Sequence, residues 1–140
     1  MILDDLLDIS KIEADRIDLE NVKFSLRRAL YLVLKTNSVK AIQKGLSLIL
    51  VLDPALPDQV IGDTLRLRQV INNLLSNAIK FTDEGEVVIS LNLEDQDQDT
   101  FFVKITIRDT GIGIEKDKID IIFDKFTQAN ESITRRYCPF

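Results

Sequence analysis

Two short stretches of the chain carry side chains whose types and spacing could do chemistry. In the first, Arg66, Gln69, Asn73, Asn77 and Lys80 recur at intervals of three and four. On a helix that spacing lines them along one side. Asparagine is a poor helix former, yet Asn72, Asn73 and Asn77 all fall inside the segment. Asn73 and Asn77 offer amide oxygens of the kind a hard cation accepts, and Lys80 sets an ammonium beside them for phosphate. An ordinary amphipathic helix with a solvated polar face would show the same pattern. The second stretch is Asp109-Thr110-Gly111-Ile112-Gly113-Ile114. Its carboxylate, at the end of a predicted strand, can accept a hydrogen bond from an exocyclic amine, and its glycines let backbone approach a ligand without a Cβ in the way. Taken alone it is equally a tight turn with Asp as turn former. Its weight comes from its position, two strands after the asparagine-rich helix.

The elements that must position these residues follow from periodicity. Residues 1–16 read as a helix, with Ile2, Leu3, Leu6, Leu7, Ile9 and Ile12 forming an apolar stripe that needs a partner. Arg16 to Glu20 alternates and reads as a short edge strand. Ser25 is a plausible N-cap for a helix running to about Lys44 and ended by Gly45. Leu46 to Leu52 reads as a strand closing at Asp53-Pro54, and a turn containing Pro57 follows. Asp63 then caps a second helix from Thr64 to Phe81, whose inner face is expected to be Leu67, Ile71, Leu74, Leu75 and Ala78. Glu86–Glu94 and Thr100–Arg108 read as strands joined by the polar loop Asp95 to Asp99. A short helix is expected from about Lys116 to Phe126. The order gives an α/β sandwich of two layers with one sheet.

Composition narrows the function. The chain has 140 residues, 45% hydrophobic and 29% charged, enough for a buried core. A net charge of -5 with scattered Lys and Arg argues against nucleic acid as a partner. The single cysteine, Cys138, excludes a disulfide framework and a thiolate metal site. The chain contains no histidine, which removes His-based acid–base catalysis and metal ligation. No apolar run approaches the roughly 18 residues of a membrane span, and the start lacks a basic leader. A cytoplasmic location is expected, whether or not a parent protein is membrane-anchored.

Four segments together resemble the sensor histidine kinases of two-component systems. Leu67 to Thr82 is similar to their asparagine box, Asp109 to Ile114 to their first glycine box, and Ile122-Phe123-Asp124-Lys125-Phe126-Thr127-Gln128-Ala129 to their phenylalanine box. Asp8-Ile9-Ser10-Lys11-Ile12-Glu13-Ala14 resembles the end of their second dimerisation helix. The motifs stand in the family's order over nearly the whole chain. Phe126 to Asn130 and Thr134-Arg135-Arg136 look like the hybrid subgroup. The resemblance implies a Bergerat-type ATP-binding fold of the gyrase, Hsp90, histidine kinase and MutL kind, preceded by a helical arm. Residues 1–16 would be the end of the dimerisation helix and residues 17–140 the ATP-binding domain. It also implies roles. Asn77, assisted by Asn73, would hold the magnesium ion on the ATP phosphates, and Lys80 would touch phosphate. Asp109 would read the adenine amino group while Gly111 and Gly113 let the nucleotide approach. Ile114 and Phe81 would line the adenine pocket. Phe123 and Phe126 would anchor the lid over ATP, or equally serve as core. Implied partners are ATP, dimerisation helices in a homodimer, and a downstream response-regulator receiver domain.

The ATPases of this fold carry a glutamate at position 73 as general base for water. Asn73 cannot take a proton, so phosphoryl transfer to a protein side chain fits better than hydrolysis. Two departures from the family stand out. The phosphoacceptor histidine is absent, and Cys138-Pro139-Phe140 leaves the pattern where a second glycine box would begin. The final strands and helix of the fold are therefore expected to be missing, and nucleotide binding by this chain alone to be weak. The alternatives are an inert fragment that acts as an interaction module with an intact kinase, and a protein-serine kinase of the same fold.

Overall fold

The computed structural model describes residues 18–116 and Ile119. The first described element is a four-residue strand, β1 (Val22–Ser25), followed directly by helix α1 (Leu26–Gln43). Strands β2 (Ser47–Leu52) and β3 (Gln59–Gly62) lead into helix α2 (Thr64–Phe81), and the long strands β4 (Glu86–Gln96) and β5 (Phe101–Asp109) complete the described order. Strands β2, β4 and β5 form one sheet with β4 in the middle, parallel to β2 and antiparallel to β5. Strands β1 and β3 pair separately, antiparallel, with Val22 opposite Gly62 and Ser25 opposite Gln59.

Both helices lie on one face of the sheet, as the amphipathic patterns require. Leu26, Leu30, Val33 and Ala41 of α1, Ile71, Leu75, Ala78 and Ile79 of α2, and Val87, Ile89 and Leu91 of β4 make one buried cluster. Alternate residues of β4 point into it, the period of two that a half-buried strand dictates. The helices run side by side in the same direction. Asn37 of α1 meets Asn72 of α2, and seven residues further on Lys44 meets Ile79.

Capping is double at the start of α1. Ser25 Oγ accepts from Arg28 N at 3.1 Å, while Asp58 takes Leu26 N on its backbone carbonyl at 2.7 Å and Arg27 N on its carboxylate at 3.1 Å. Three of the free N–H groups at the helix start are thus satisfied, two of them by a residue 31 or more positions away. Asp63 caps α2 through Arg66 N at 2.9 Å, and its other oxygen accepts from Glu20 N at 3.2 Å. These contacts hold both carboxyls below the ordinary carboxylate value: chiefly the Ser25 hydroxyl for Asp58 and the Arg66 amide for Asp63.

The structure departs from the sequence reading in five places. The described strands form two sheets rather than one, because β1 and β3 pair only with each other. The edge strand is Val22–Ser25, and residues 18–21 form none. Strand β3 had no expectation, because four residues between Pro57 and Asp63 become a strand only through the partner they find in β1. Leu74 is 52% exposed, since it lies at the margin of the face whose centre is Ile71, Leu75 and Ala78. The hairpin loop is shorter than Asp95 to Asp99: β4 runs on to Gln96, past a register shift between Leu93 and Asp95. The helix expected over 1–16 and nearly all of that over 116–126 lie outside the described residues.

Candidate functional site

Helix α2 presents Asn73 and Asn77 to solvent, one turn apart, and neither side chain has a hydrogen-bond partner among the described residues. The third asparagine behaves differently. Asn72 accepts from the buried Asn37 Nδ2 at 2.7 Å, and the same nitrogen lies 2.9 Å from Val33 O. One of the poor helix formers is therefore explained by helix packing, and the other two remain uncommitted amides on an exposed side. Lys80 sits 5.4 Å over the Phe81 ring and borders an open groove of about 320 Å³ lined also by Lys40, Gln43, Lys44, Ser76 and Ile79.

The end of α2 is stitched to the glycine-containing turn. Ile112 N donates to Phe81 O at 3.3 Å, and Gly111 N donates to Asp109 Oδ1 at 2.9 Å. Thr82, fully buried, gives its hydroxyl proton to Ala78 O at 2.7 Å while its oxygen lies 3.5 Å from Asp109 Oδ1. With that proton already placed, the longer approach is a close contact rather than a second full hydrogen bond. Asp109 Oδ1 is thus occupied and Oδ2 has no partner among the described residues. The carboxylate is oriented by one oxygen and left able to accept through the other.

The glycines of the turn have separate reasons. A Cβ on Gly111 would lie 2.5 Å from Phe81 O, 2.7 Å from Asp109 Oδ1 and 2.9 Å from Thr82 Oγ1, so the side chain is excluded by the protein's own packing. Gly113 has φ of +70° with nothing within 4 Å of a Cβ, so there the backbone conformation requires glycine and the space in front is open. Ile112 and Ile114 are exposed, and Phe81 is half-buried. Phe123 and Phe126 lie outside the described residues.

Three supporting groups escaped the sequence reading. The Thr110 hydroxyl accepts from Glu86 N at 3.1 Å and donates to Glu84 O at 3.0 Å, locking the turn to the start of β4. A Cβ on Gly85, whose φ is +105°, would collide with that hydroxyl. Lys44 Nζ donates to Ile79 O at 2.9 Å and Lys80 O at 3.0 Å, and so closes the carboxyl end of α2 from the neighbouring helix. Of these only Thr110 had a visible signal, since it stands within a quoted motif.

A cation and a nucleotide can be tested against these groups. No cluster of three His, Cys, Asp or Glu side chains occurs among the described residues, so a cation here would rest on neutral oxygens and on its own anionic ligand. Asn73 and Asn77 supply such oxygens, exposed and unpaired, and magnesium bound through few protein groups plus substrate phosphates has that requirement. The groups fit.

The chain belongs to the histidine kinase-, DNA gyrase B- and HSP90-like ATPase family, which residues 62–137 match. Over 97% of its length it is 41% identical to hybrid signal transduction histidine kinase L of Dictyostelium discoideum, of which it spans 8%. It is 42% identical to signal transduction histidine-protein kinase BarA of Escherichia coli strain K12, again over 97% of this chain but 15% of that protein. Among solved structures, full-length ShkA in complex with AMPPNP aligns with a TM-score of 0.72 and 29% identity, covering 84% of this chain and 24% of that one. The catalytic domain of the histidine kinase ThkA aligns with a TM-score of 0.64 and 26% identity, covering 84% and 79% respectively. The chain thus spans a small part of each curated relative and most of the isolated ThkA domain.

Proposed function

We propose that this chain is the ATP-binding catalytic portion of a sensor histidine kinase in a two-component relay. The observation that carries the reading is the arrangement of α2. Its two uncommitted amides, Asn73 and Asn77, lie about two turns and one turn, respectively, before the Phe81 carbonyl that holds the Asp109 turn. The names of the relatives and the AMPPNP in the ShkA structure support it. In this reading Asn77, with Asn73, holds magnesium against the triphosphate and Lys80 meets phosphate. Asp109 accepts from the adenine amino group through Oδ2. Phe81 and Ile114 flank the base, Gly113 leaves room beside it, and Phe123 and Phe126 serve the lid. Magnesium held by Asn77 and Asn73 would supply positive charge against the phosphates.

The protein's contribution is positioning. Oδ1 of Asp109 is pinned by Gly111 N, so Oδ2 has a fixed direction, and α2 holds its amides on a helix anchored by buried Ile71 and Leu75. Asn73 cannot deprotonate water, which favours transfer over hydrolysis. Because the chain has no histidine, the acceptor imidazole comes from outside these 140 residues, on dimerisation helices whose end is residues 1–16. A response-regulator receiver domain would take the phosphoryl group next, and the relay would run in the cytoplasm. No helix among the described residues is long and apolar enough to cross a membrane.

Calorimetry of MgATP against the chain and Asn77→Ala tests the site. Losing one cation ligand is expected to weaken binding by at least about tenfold, in line with loss of a charge-assisted contact. Equal affinity in both would refute the assignment. A folded chain that binds no nucleotide would instead favour the interaction-module reading.

A further inference from the structure

The cations of the three-stranded sheet are partnered, and those on the outer side of α1 are not. Lys104 and Arg108 of β5 each lie 3.1 Å from an acid, Glu94 and Glu86 respectively. Arg28, Lys35 and Lys40 of α1 have no ion pair among the described residues. The reason lies in the sequence: none of the chain's 23 acids falls within the two helices, Leu26–Gln43 and Thr64–Phe81. The same side of α1 carries exposed apolar groups. Tyr31, Leu32, Val39 and Ile42 are 36 to 74% exposed, whereas Leu26, Leu30, Val33 and Ala41 face the sheet. At about 100° per residue, Tyr31, Ile42, Lys35, Arg28, Val39 and Leu32 fill about 100° of arc opposite the buried face. Lys35 stands near its centre. A helix that met only water on this side would show charged and polar residues there, not four large apolar ones.

We propose that this outer face of α1 docks the chain on an anionic lipid surface. The apolar side chains enter the headgroup boundary, and Arg28, Lys35 and Lys40 meet lipid phosphates with their stems laid alongside. Charge and composition select this occupant over a protein. The core of a protein–protein interface is depleted in lysine, yet Lys35 lies between Ile42 and Val39 in the middle of the arc. A second copy meeting the same face would set cation against cation, with no acid on the helix to relieve it. A headgroup layer meets neither objection, because the charged tips reach outward to phosphate while the apolar groups sit deeper. The chain's net charge of -5 does not cancel the attraction, since at 0.1 M salt only charges within about 10 Å of the surface are felt strongly. Such docking is peripheral: α1 lies along the surface with its inner side still packed in the core. The inference does not depend on the nucleotide reading.

The test uses the full chain and two kinds of vesicle, phosphatidylglycerol mixed with phosphatidylcholine and phosphatidylcholine alone. Co-sedimentation is expected only with the first, and is expected to weaken as salt is raised. Arg28→Gln combined with Lys35→Gln should lower the partition coefficient about thirtyfold, the loss of two basic residues at an anionic surface. Lys104→Gln with Arg108→Gln removes the same charge from the sheet and should leave binding unchanged. The chain has no tryptophan, so Tyr31→Trp reports insertion. Its emission should shift to the blue when the anionic vesicles are added, while that of Phe102→Trp on β5 stays fixed. Every substituted side chain is exposed, and circular dichroism of each variant checks that the fold is kept. A folded chain that does not sediment with the anionic vesicles would overturn the proposal. So would equal weakening by the two glutamine pairs, which would mean attraction without a defined face, or a blue shift in Phe102→Trp alone. A blue shift of Tyr31→Trp that follows protein concentration without vesicles would overturn it in favour of a second copy.

Discussion

Gly111→Ala separates packing from backbone conformation. The φ of Gly111 is not in the positive region, so an alanine there would ordinarily stabilise the protein by about 0.4–1 kcal/mol through the unfolded chain. The space forbids it: the new Cβ would meet Phe81 O at 2.5 Å, Asp109 Oδ1 at 2.7 Å and Thr82 Oγ1 at 2.9 Å, none of them the loose end of a long side chain. Relieving those contacts moves the turn and breaks the Ile112–Phe81 and Gly111–Asp109 hydrogen bonds. Two such bonds at about 1 kcal/mol each, with about 1 kcal/mol of overpacking and less the entropic gain, leave a net loss of roughly 2–3 kcal/mol. Gly113→Ala is the control. Its Cβ enters open space, and only the φ of +70° costs it, about 1 kcal/mol. Urea unfolding of the chain and both variants, followed by circular dichroism, gives the comparison. A Gly111→Ala protein as stable as the parent, or more stable than Gly113→Ala, would refute the reasoning.

Asn37→Ala should cost about 2 kcal/mol, because it leaves a cavity and strands the Asn72 carbonyl oxygen; a double-mutant cycle with Asn72→Ala should show coupling, and strict additivity in urea titrations would refute the pairing. Lys44→Met, which frees the Ile79 and Lys80 carbonyls, should cost about 1 kcal/mol, the low end for a charged donor that is partly in solvent. Its check is a lowered thermal midpoint. Asp58 and Asp63 have folded-state pKa values below the ordinary 3.8, so their ionised forms favour the fold. That contribution is present above the ordinary value and is lost as pH falls through the lower folded values. Asp58→Asn with Asp63→Asn removes the titration, so in urea titrations across pH it should flatten the acid limb of the stability curve, with the variant less stable than the parent at neutral pH and the difference closing as pH falls through the folded values.

Local signals made much of the fold legible. Ser25, Asp63 and Gly45 mark helix ends by cap chemistry that depends only on neighbouring residues, and the structure places them at those positions. Leu46 to Leu52 was legible from its β-rich composition and its close at Asp53-Pro54, and the start of β4 likewise read as a strand. What was not legible depends on distant partners. Strand β3 exists through β1, the start of α1 is completed by Asp58, and Asn72 acquires its reason only when Asn37 arrives from the other helix. Leu74 illustrates a different limit, since periodicity assigns a side to a residue but not how far the sheet extends beneath it. At the candidate site, spacing brought out Asn73, Asn77 and Asp109. It could not show that Gly111 is demanded by Phe81 and Thr82, or that Lys44 closes α2.

The central claim is that the uncommitted amides of α2 and the Asp109 turn form one nucleotide site. Amide ¹H–¹⁵N spectra of the full chain, recorded as MgATP is added, test it most directly. Shifts are expected to concentrate in the Asn73 and Asn77 side-chain amides and the backbone of Asp109 to Ile114, with β1 and β3 unmoved. Shifts confined to the groove of Lys40, Gln43 and Lys44, or none in a folded sample at millimolar nucleotide, would contradict it.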